Sequence, residues 1–373
     1  MTKLNIKALE HAMTHVGFNQ AKLASVLDVS REAVSQWLKG LKLPKPDKLL
    51  KLGVELKLDY EKLVIEEEGP NAPVVAFRKK GHRKTRPEHI QRAKEMGYML
   101  EKLIPYVSFD KFECPPTFRK PNTDYSYLNE CCKKIRKDIG ITTDEIRFQD
   151  LINKFKELSA VLIPVLWGEK QNHENALHIY LPESMTTWIY LNLDTNIHDF
   201  KFWMAHELGH VYSSPSLTGD EAEDFSDAFA QTLLFPEHLA EKAYPTLQEI
   251  NNIGKRINKV IDIAKSVIIS PNTVIKAIDA YSKAHDLELV NWGDYYGAVT
   301  NFNKIFPLVS VSLFGGRKPS PIEYIRESEY VFQTPFFNIL RKYFRETERS
   351  SGFLENILHL SVVDAKALLE EGF

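Results

Sequence analysis

The chain has 373 residues, of which 43% are hydrophobic and 26% are charged. This length suits two or three domains, and the composition excludes a disordered or fibrous protein. The formal net charge is only −2, but residues 1–63 carry 11 Lys and Arg against 7 Asp and Glu, and residues 77–86 carry six basic residues and no acidic one. Basic charge near one end suits a partner with a phosphate backbone.

The sequence lacks the features of a secreted or membrane protein. Its first residues contain no apolar signal-peptide segment, and no run approaches 18 apolar residues. The three cysteines, Cys114, Cys131 and Cys132, include no C-x-x-C pair, which argues against a disulfide framework and a sulfur-ligated zinc site. We therefore expect a cytoplasmic protein with no membrane partner.

Hydrophobic spacing and turn residues divide the chain into four regions. Residues 1–67 have the 3.6-residue spacing of short helices, and residues 68–88, rich in Gly, Pro and basic side chains, are expected to form a linker. The remaining regions are a central domain at 89–285 and a C-terminal region at 286–373. The expected fold class is a multidomain, mainly helical protein with a small sheet in its α+β central domain.

The central domain is predicted to begin with a helix at 90–104. Strand-like runs follow at 161–167 and 187–192, and a long helical pair at 201–243. Residues 286–373 read as a mixture of aromatic-rich, strand-like pieces and a helical end, to which we assign no chemistry.

Residues 20–40 have the spacing of two short helices joined by a tight turn. Asp28 begins the turn, Ser30 is a good N-cap for the second helix, and Gly40 ends that helix. The inward apolar positions are Leu23, Ala24, Leu27, Val34, Trp37 and Leu38.

The outward polar positions of the second helix are Arg31, Glu32, Ser35 and Gln36. These side chains can hydrogen-bond with base edges in a DNA major groove. The alternative is an ordinary helical hairpin whose polar residues are simply solvated.

This stretch resembles the Cro/cI-type (Xre) helix-turn-helix family. The matching residues are Gln20, Leu23, Ala24, Val29, Ser30, Val34, Ser35, Trp37, Gly40 and Pro44, followed by Leu49, Leu50, Lys51, Leu52 and Leu63. The resemblance implies a five-helix domain that binds double-stranded operator DNA as a homodimer, with Arg31 and Glu32 reading bases and Gln20 and Lys42 contacting phosphates. Asp28 stands where the family usually has Gly, but Asp tolerates the left-handed conformation that the turn needs.

A metal-binding pattern lies at His206-Glu207-Leu208-Gly209-His210. Residues four apart share a helix face, so both imidazoles can reach one Zn²⁺ ion. Glu207 lies beside them and can take a proton from a metal-bound water. The preceding turn is apolar, so the histidines are expected to be buried.

The best candidate for a third ligand is Glu223. It shares a helix face with Asp227, which can accept the outer N–H of a ligand histidine. The alternative is that Glu223 belongs to a solvated, acidic helix start. His198, in an expected loop, and His238, at an expected surface helix start, are less attractive ligands.

This region resembles the ImmA/IrrE family of zinc metallopeptidases over about residues 90–285. The matching residues are Ile189, Tyr190, Leu191, Asn192, the run from Phe202 to His210, Glu223, Asp227, Phe229, Ala230, and Leu233 to Pro236. The resemblance implies that His206, His210 and Glu223 bind Zn²⁺ and that Glu207 is the catalytic acid/base. Members of this family typically cut or disable a repressor.

Two further features of the sequence give predictions about this domain. Residues 263–277 resemble the small helical reader that often ends this domain, and we interpret them as structural or substrate-docking. Cys114, beside two prolines, is a candidate to occupy the open zinc position and hold the peptidase inactive.

Three functions remain open. In the first, the chain is a zinc endopeptidase that cleaves a repressor, or itself within residues 66–88, while tethered to DNA. In the second, it is a repressor whose zinc domain senses a signal or dimerises. In the third, it is the antitoxin of a toxin–antitoxin operon, which represses the operon and masks a cognate toxin.

Overall fold

The computed structural model describes residues 2–66, 71–77, 87–107, 117–168, 176–214, 216–347 and 349–373. These residues form two compact units, Met1–Ala72 and Pro73–Phe373. Each unit has its own hydrophobic core.

The first unit contains the five helices expected from the sequence. They are α1 (Ile6–Val16), α2 (Gln20–Leu27), α3 (Arg31–Leu38), α4 (Pro46–Leu56) and α5 (Tyr60–Leu63). A short antiparallel pair, β1 (Thr2–Leu4) with β2 (Val64–Glu66), was not expected and joins the two ends of the unit.

Local signals account for the turn between α2 and α3. Asp28 has φ 54°, the left-handed conformation that its sequence position required. Ser30 caps α3, since its side chain accepts a hydrogen bond of 3.1 Å from the Ala33 N–H. Beneath the turn, Leu27 and Val34 are fully buried.

The second unit is built around a four-stranded sheet. Its strands are β3 (Val74–Phe77), β4 (Val161–Val165), β5 (Ala176–Leu181) and β6 (Thr186–Asn192), and their spatial order is β3-β5-β6-β4. β5 is antiparallel to both its neighbours, whereas β4 and β6 are parallel. The strands predicted at 161–167 and 187–192 correspond to β4 and β6.

Two of these strands differ from the sequence-based expectation. β3 lies inside the predicted linker 68–88, and β5 was not predicted. β3 has only four residues between breaker-rich and basic segments, so its local composition resembles a linker, and its pairing with β5 makes it a strand. The basic residues 78–86 lie outside the described part of the chain.

The rest of the second unit is helical, apart from a 3₁₀ turn at Ile104–Tyr106. Its helices are α6 (Pro87–Glu101), α7 (Tyr125–Asp138), α8 (Phe148–Glu157), α9 (Ile197–Ser213), α10 (Gly219–Leu234), α11 (Glu237–Glu249), α12 (Ile253–Val267), α13 (Pro271–Ala284), α14 (Tyr296–Phe302), α15 (Val309–Phe314), α16 (Pro321–Phe332), α17 (Phe336–Thr347), α18 (Gly352–Leu358) and α19 (Val362–Gly372).

The expectation of strand-like pieces in 286–373 was wrong, because the described residues of this region contain helices and no strand. Aromatic residues favour strands locally, but here their spacing places many of them on buried helix faces, while Tyr296 and Tyr330 are exposed. On α17, Phe336, Leu340 and Tyr343 are at most 3% exposed. These aromatics belong to the core of the second unit.

The helix α9 is central to the second unit and packs against β5, β6, α8 and α10. It passes close to α10 at Gly209, where a Cβ atom would lie only 2.9 Å from the Ser226 Cα atom. This close approach brings the histidine-bearing face of α9 against the acidic face of α10.

Candidate functional site

Two histidines of α9 and one glutamate of α10 converge in the second unit. The Nε2 atoms of His206 and His210 are 3.0 Å apart. Glu223 Oε2 lies 3.5 Å from His206 Nε2, and Glu223 Oε1 lies 3.3 Å from His210 Nε2. The structure thus brings together the three residues that the sequence nominated as ligands.

This geometry fits a divalent metal ion. Ligand atoms about 2.0–2.1 Å from a tetrahedral zinc ion lie roughly 3.3 Å from one another, close to the three distances between these side chains. The two Nε2 atoms face each other, and Glu223 Oε2 is buried without accepting a hydrogen bond. Within the described ranges, no other group of three or more His, Cys, Asp or Glu side chains brings its ligand atoms this close together.

The protonation states of the group reflect its burial and its internal contacts. Burial lowers the pKa of His206, but its contacts with Asp227 and Glu223 outweigh that effect and raise the pKa to about 9. Burial raises the pKa of Glu223, yet the adjacent imidazoles bring it down to about 2. Burial is the main reason that the pKa of His210 is lowered. Near neutral pH the centre therefore pairs the anionic Glu223 carboxylate with a protonated His206 ring.

Asp227 lies behind His206, on the side away from Glu223. The His206 Nδ1 atom donates to Asp227 Oδ1 at 2.9 Å. This contact directs Nε2 of the same ring towards His210 and Glu223. Asp227 is the residue that the sequence nominated for this orienting role.

The acidic residues at the start of α10 lie on two different faces of the helix, one exposed and one buried. Glu221 and Asp224 are exposed, whereas Glu223 is 7% exposed and points towards the histidines. Glu223 is therefore not part of a solvated acidic face. Glu207, the predicted acid/base, is also buried, at 1% exposure.

The two competing histidines lie outside the convergent group. His198 was expected in a loop, but it lies in the first turn of α9, is fully buried, and is hydrogen-bonded to Asn303 Oδ1 at 3.0 Å. The expectation of a loop was wrong because α9 begins at Ile197, before residue 201, where the sequence predicted the helix to start. His238 lies at the start of α11, as expected, with an exposed side chain.

Sequence reasoning missed His178, which lies on β5 beside the candidate ligands. Its ring stacks on that of His210, with ring centres 5.6 Å apart. Burial, followed by the neighbouring histidines, places the pKa of His178 well below its usual range. The alternation Ala-Leu-His-Ile-Tyr-Leu was the signal that could have revealed β5 and a histidine on its inner face.

Two other predicted elements have different outcomes. Cys114 lies outside the described residues. The helical reader predicted at 263–277 covers the end of α12 and the first half of α13, where Val274 and Ile275 are buried and α13 packs against α10, α11 and α12.

The candidate DNA-reading residues lie on and around α3. Arg31 and Glu32 begin the helix and are exposed, whereas Ser35 and Gln36 are half-buried one turn later. Gln20 begins α2 and is half-buried. Sequence reasoning passed over Lys39, which is exposed just after α3.

The predicted phosphate contact Lys42 is exposed in the segment between α3 and α4. On the opposite side of α3, Val34 and Trp37 are buried in the core. The arrangement presents a polar helix face with cations around it.

Comparison with known proteins gives a family match for the first unit. Residues 9–63 match the family model described as Helix-turn-helix. The N-terminal unit is a helix-turn-helix domain. The match covers α2, the turn and α3, and it ends before the second unit.

No match was found among curated proteins or among solved structures. None of the helices in the described ranges has the length and apolar character needed to cross a membrane.

Proposed function

We propose that this DNA-binding regulator carries a zinc-dependent endopeptidase in its second unit. Cleavage of a repressor, or of the chain itself, would then control transcription. The observation that carries the proposal is the convergence of His206, His210 and Glu223 at 3.0–3.5 Å, with Glu207 between the two histidines in the sequence. The helix-turn-helix domain supplies the link to DNA.

The roles of the residues follow from their positions. His206, His210 and Glu223 would hold a Zn²⁺ ion, which would supply the Lewis acid that activates a water for attack on a peptide bond. The Glu207 carboxylate accepts the proton and delivers it to the leaving amine. Asp227 keeps the His206 ring in the orientation that directs Nε2 towards the ion.

A second candidate function is metal-responsive regulation without peptide hydrolysis. It is favoured by burial, since His206, Glu207, His210 and Glu223 are 0, 1, 3 and 7% exposed. These side chains therefore expose little surface of their own to a peptide. The antitoxin interpretation stays a prediction.

The first experiment measures metal content. Purified wild type is expected to hold about one zinc per chain, and Glu223→Gln is expected to lose it because the amide supplies no anionic ligand. Glu221→Gln is the matched control, since this exposed neighbour has the same side chain on the same helix. Equal zinc in all three proteins, or none in the wild type, would contradict the ligand set.

The second experiment separates the two candidate functions. Glu207→Gln should retain zinc and lose cleavage, which is followed by mass spectrometry of the chain and of a repressor encoded beside it. Intact partners after incubation with zinc-loaded wild type and DNA would favour the metal-responsive regulator.

A third experiment tests the reading helix. Arg31→Ala should weaken operator binding and relax specificity, with a cost of about 1–3 kcal/mol if Arg31 contacts a base. Lys42→Ala should weaken binding to all sequences and reduce the salt dependence. Equal affinity of Arg31→Ala and wild type for the operator would exclude base reading by this residue.

A further inference from the structure

His178 occupies a buried position on the face of the sheet that α9 covers. Its sheet neighbours are Ala76 on β3 and Ile189 on β6. The side chain is 2% exposed, and its ring lies nearly parallel to that of His210, at an interplanar angle of 28°. It therefore borders the group formed by His206, His210 and Glu223.

The polar edge of this ring lacks a partner. His178 Nε2 is buried and makes no hydrogen bond. Leaving a buried polar atom unsatisfied costs free energy comparable to the loss of a hydrogen bond, so an apolar side chain would suit this strand position better if packing were its only task. The buried His198 also has one ring nitrogen, Nδ1, without a partner, but its Nε2 is hydrogen-bonded to Asn303 and the ring does not border the candidate ligands.

The position of His178 differs from that of a metal ligand. The ligand atoms of His206, His210 and Glu223 lie within 4.8 Å of one another, and His178 does not belong to that group. Its ring centre is 5.6 Å from that of His210, compared with 4.7 Å between His206 and His210. His178 therefore adjoins the candidate ligand set, through its ring contact with His210, without belonging to it.

We propose that His178 is the hydrogen-bond donor to the oxygen of a ligand that binds at the fourth position of the metal ion. The ligand class is a carbonyl or anionic oxygen, such as a scissile carbonyl or a hydroxamate. The proposal rests on the proposed metal centre and assigns it a group that binds substrate from the sheet side. His178 is thus a substrate-binding residue and not a fourth ligand.

The test uses the full chain loaded with Co²⁺, whose visible absorption reports both metal content and ligand exchange. Acetohydroxamate is titrated into wild type, His178→Phe and His178→Gln. Phenylalanine keeps the stacked ring on His210 without a donor, whereas glutamine restores an N–H group. His198→Phe is the matched control, since it removes another buried histidine of the same unit.

The expected result is that all variants hold metal, with chelator-competition affinities within about threefold of wild type, while His178→Phe binds acetohydroxamate about tenfold more weakly. His178→Gln should recover part of that loss, and His198→Phe should bind as wild type does. A drop in metal affinity of about 10–100-fold in both His178 variants would instead assign His178 to the ligand shell and overturn the proposal.

The remaining outcomes are also decisive. If metal is bound but His178→Phe and wild type bind acetohydroxamate equally, or neither binds it, the His178 proposal is overturned and the metal centre stands. If wild type takes up no Co²⁺ or Zn²⁺, both proposals fail together.

Discussion

At the scale of single residues, the contact between Asp227 and His206 sets the orientation of one imidazole. The 2.9 Å hydrogen bond uses Nδ1, which leaves Nε2 to face His210 and Glu223. Asp227 is 44% exposed, whereas the His206 side chain is fully buried. The carboxylate can therefore be replaced without opening a large cavity.

We predict that Asp227→Ala lowers zinc affinity by about 10–100-fold, because an unsupported imidazole loses orientation and basicity. Asp227→Asn should have a smaller effect, since its amide oxygen still accepts the N–H. Asp224→Ala, an exposed change on the same helix, is the control. Competition with a chelator measures the zinc affinity of the three variants. An affinity of Asp227→Ala equal to that of Asp224→Ala would refute the orienting role of Asp227.

Lys201 is a second residue with a consequence for the whole unit. It lies on α9, is 2% exposed, and donates to the Val267 carbonyl at the end of α12. Glu145 Oε1 lies 3.5 Å from its Nζ. Burial lowers the pKa of Lys201 to about 8, and the charge of Glu145 only partly opposes this shift.

The folded pKa of Lys201 lies below its unfolded value of roughly 10.4. Between these values the unfolded chain binds more protons, so the free energy of unfolding should rise with pH from about 8 towards about 10.4. Relative to Lys201→Met, the wild type should gain about 1–2 kcal/mol between pH 7.5 and pH 9.5. Urea unfolding at the two pH values measures this difference in the free energy of unfolding. If the free energies of wild type and Lys201→Met change with pH in parallel, the predicted shift of the Lys201 pKa is wrong.

At the scale of elements, the crossing of α9 and α10 determines where the candidate ligands meet. Gly209 lies between the two histidines, and its missing side chain permits the approach to Ser226. The histidine spacing follows from one helix alone, but the distance to Glu223 depends on this contact between two helices.

We predict that Gly209→Ala destabilises the second unit by about 1–3 kcal/mol and weakens zinc binding, because the new Cβ forces α9 and α10 apart. Gly297→Ala is the matched control, since it is also helical and has no atom within 4 Å of a new Cβ. The control should be neutral or stabilising by up to about 1 kcal/mol. Unchanged zinc affinity in Gly209→Ala would mean that the ligands tolerate a shift of the crossing.

At the scale of the whole molecule, the chain has two separate cores. One core contains Leu23 and Val34 among the helices of the first unit, and the other contains Leu191 and Leu233 around the sheet. The two kinds of site, the DNA-reading helix and the candidate metal group, therefore depend on different sets of packed residues.

We predict that Leu23→Ala destabilises the helix-turn-helix domain by about 2–5 kcal/mol and impairs DNA binding without changing zinc content. Leu191→Ala is the reciprocal variant, since both leucines are fully buried. It should lower the urea midpoint of the second unit and leave DNA binding intact. A loss of both functions in either variant would show that the two cores are coupled.

The sequence alone determined the helix-turn-helix domain. Its signals are local: the apolar spacing of two short helices, a residue at Asp28 that tolerates positive φ, and the Ser30 cap. The family match at 9–63 confirms this prediction. The i, i+4 placement of His206 and His210 on one helix face is local in the same way, although their role as ligands stays a prediction.

Only the tertiary structure decided the rest. The sequence nominated Glu223 but left open whether it belongs to a solvated acidic helix start, because the answer depends on which face of α10 meets α9. Nothing in the sequence indicated that Val74–Phe77, inside the predicted linker, forms a strand that pairs with β5. Nor did it indicate that His178 stacks on His210. The aromatic C-terminal region became helical for the same reason, since contacts between residues far apart in the chain outweigh weak local preferences.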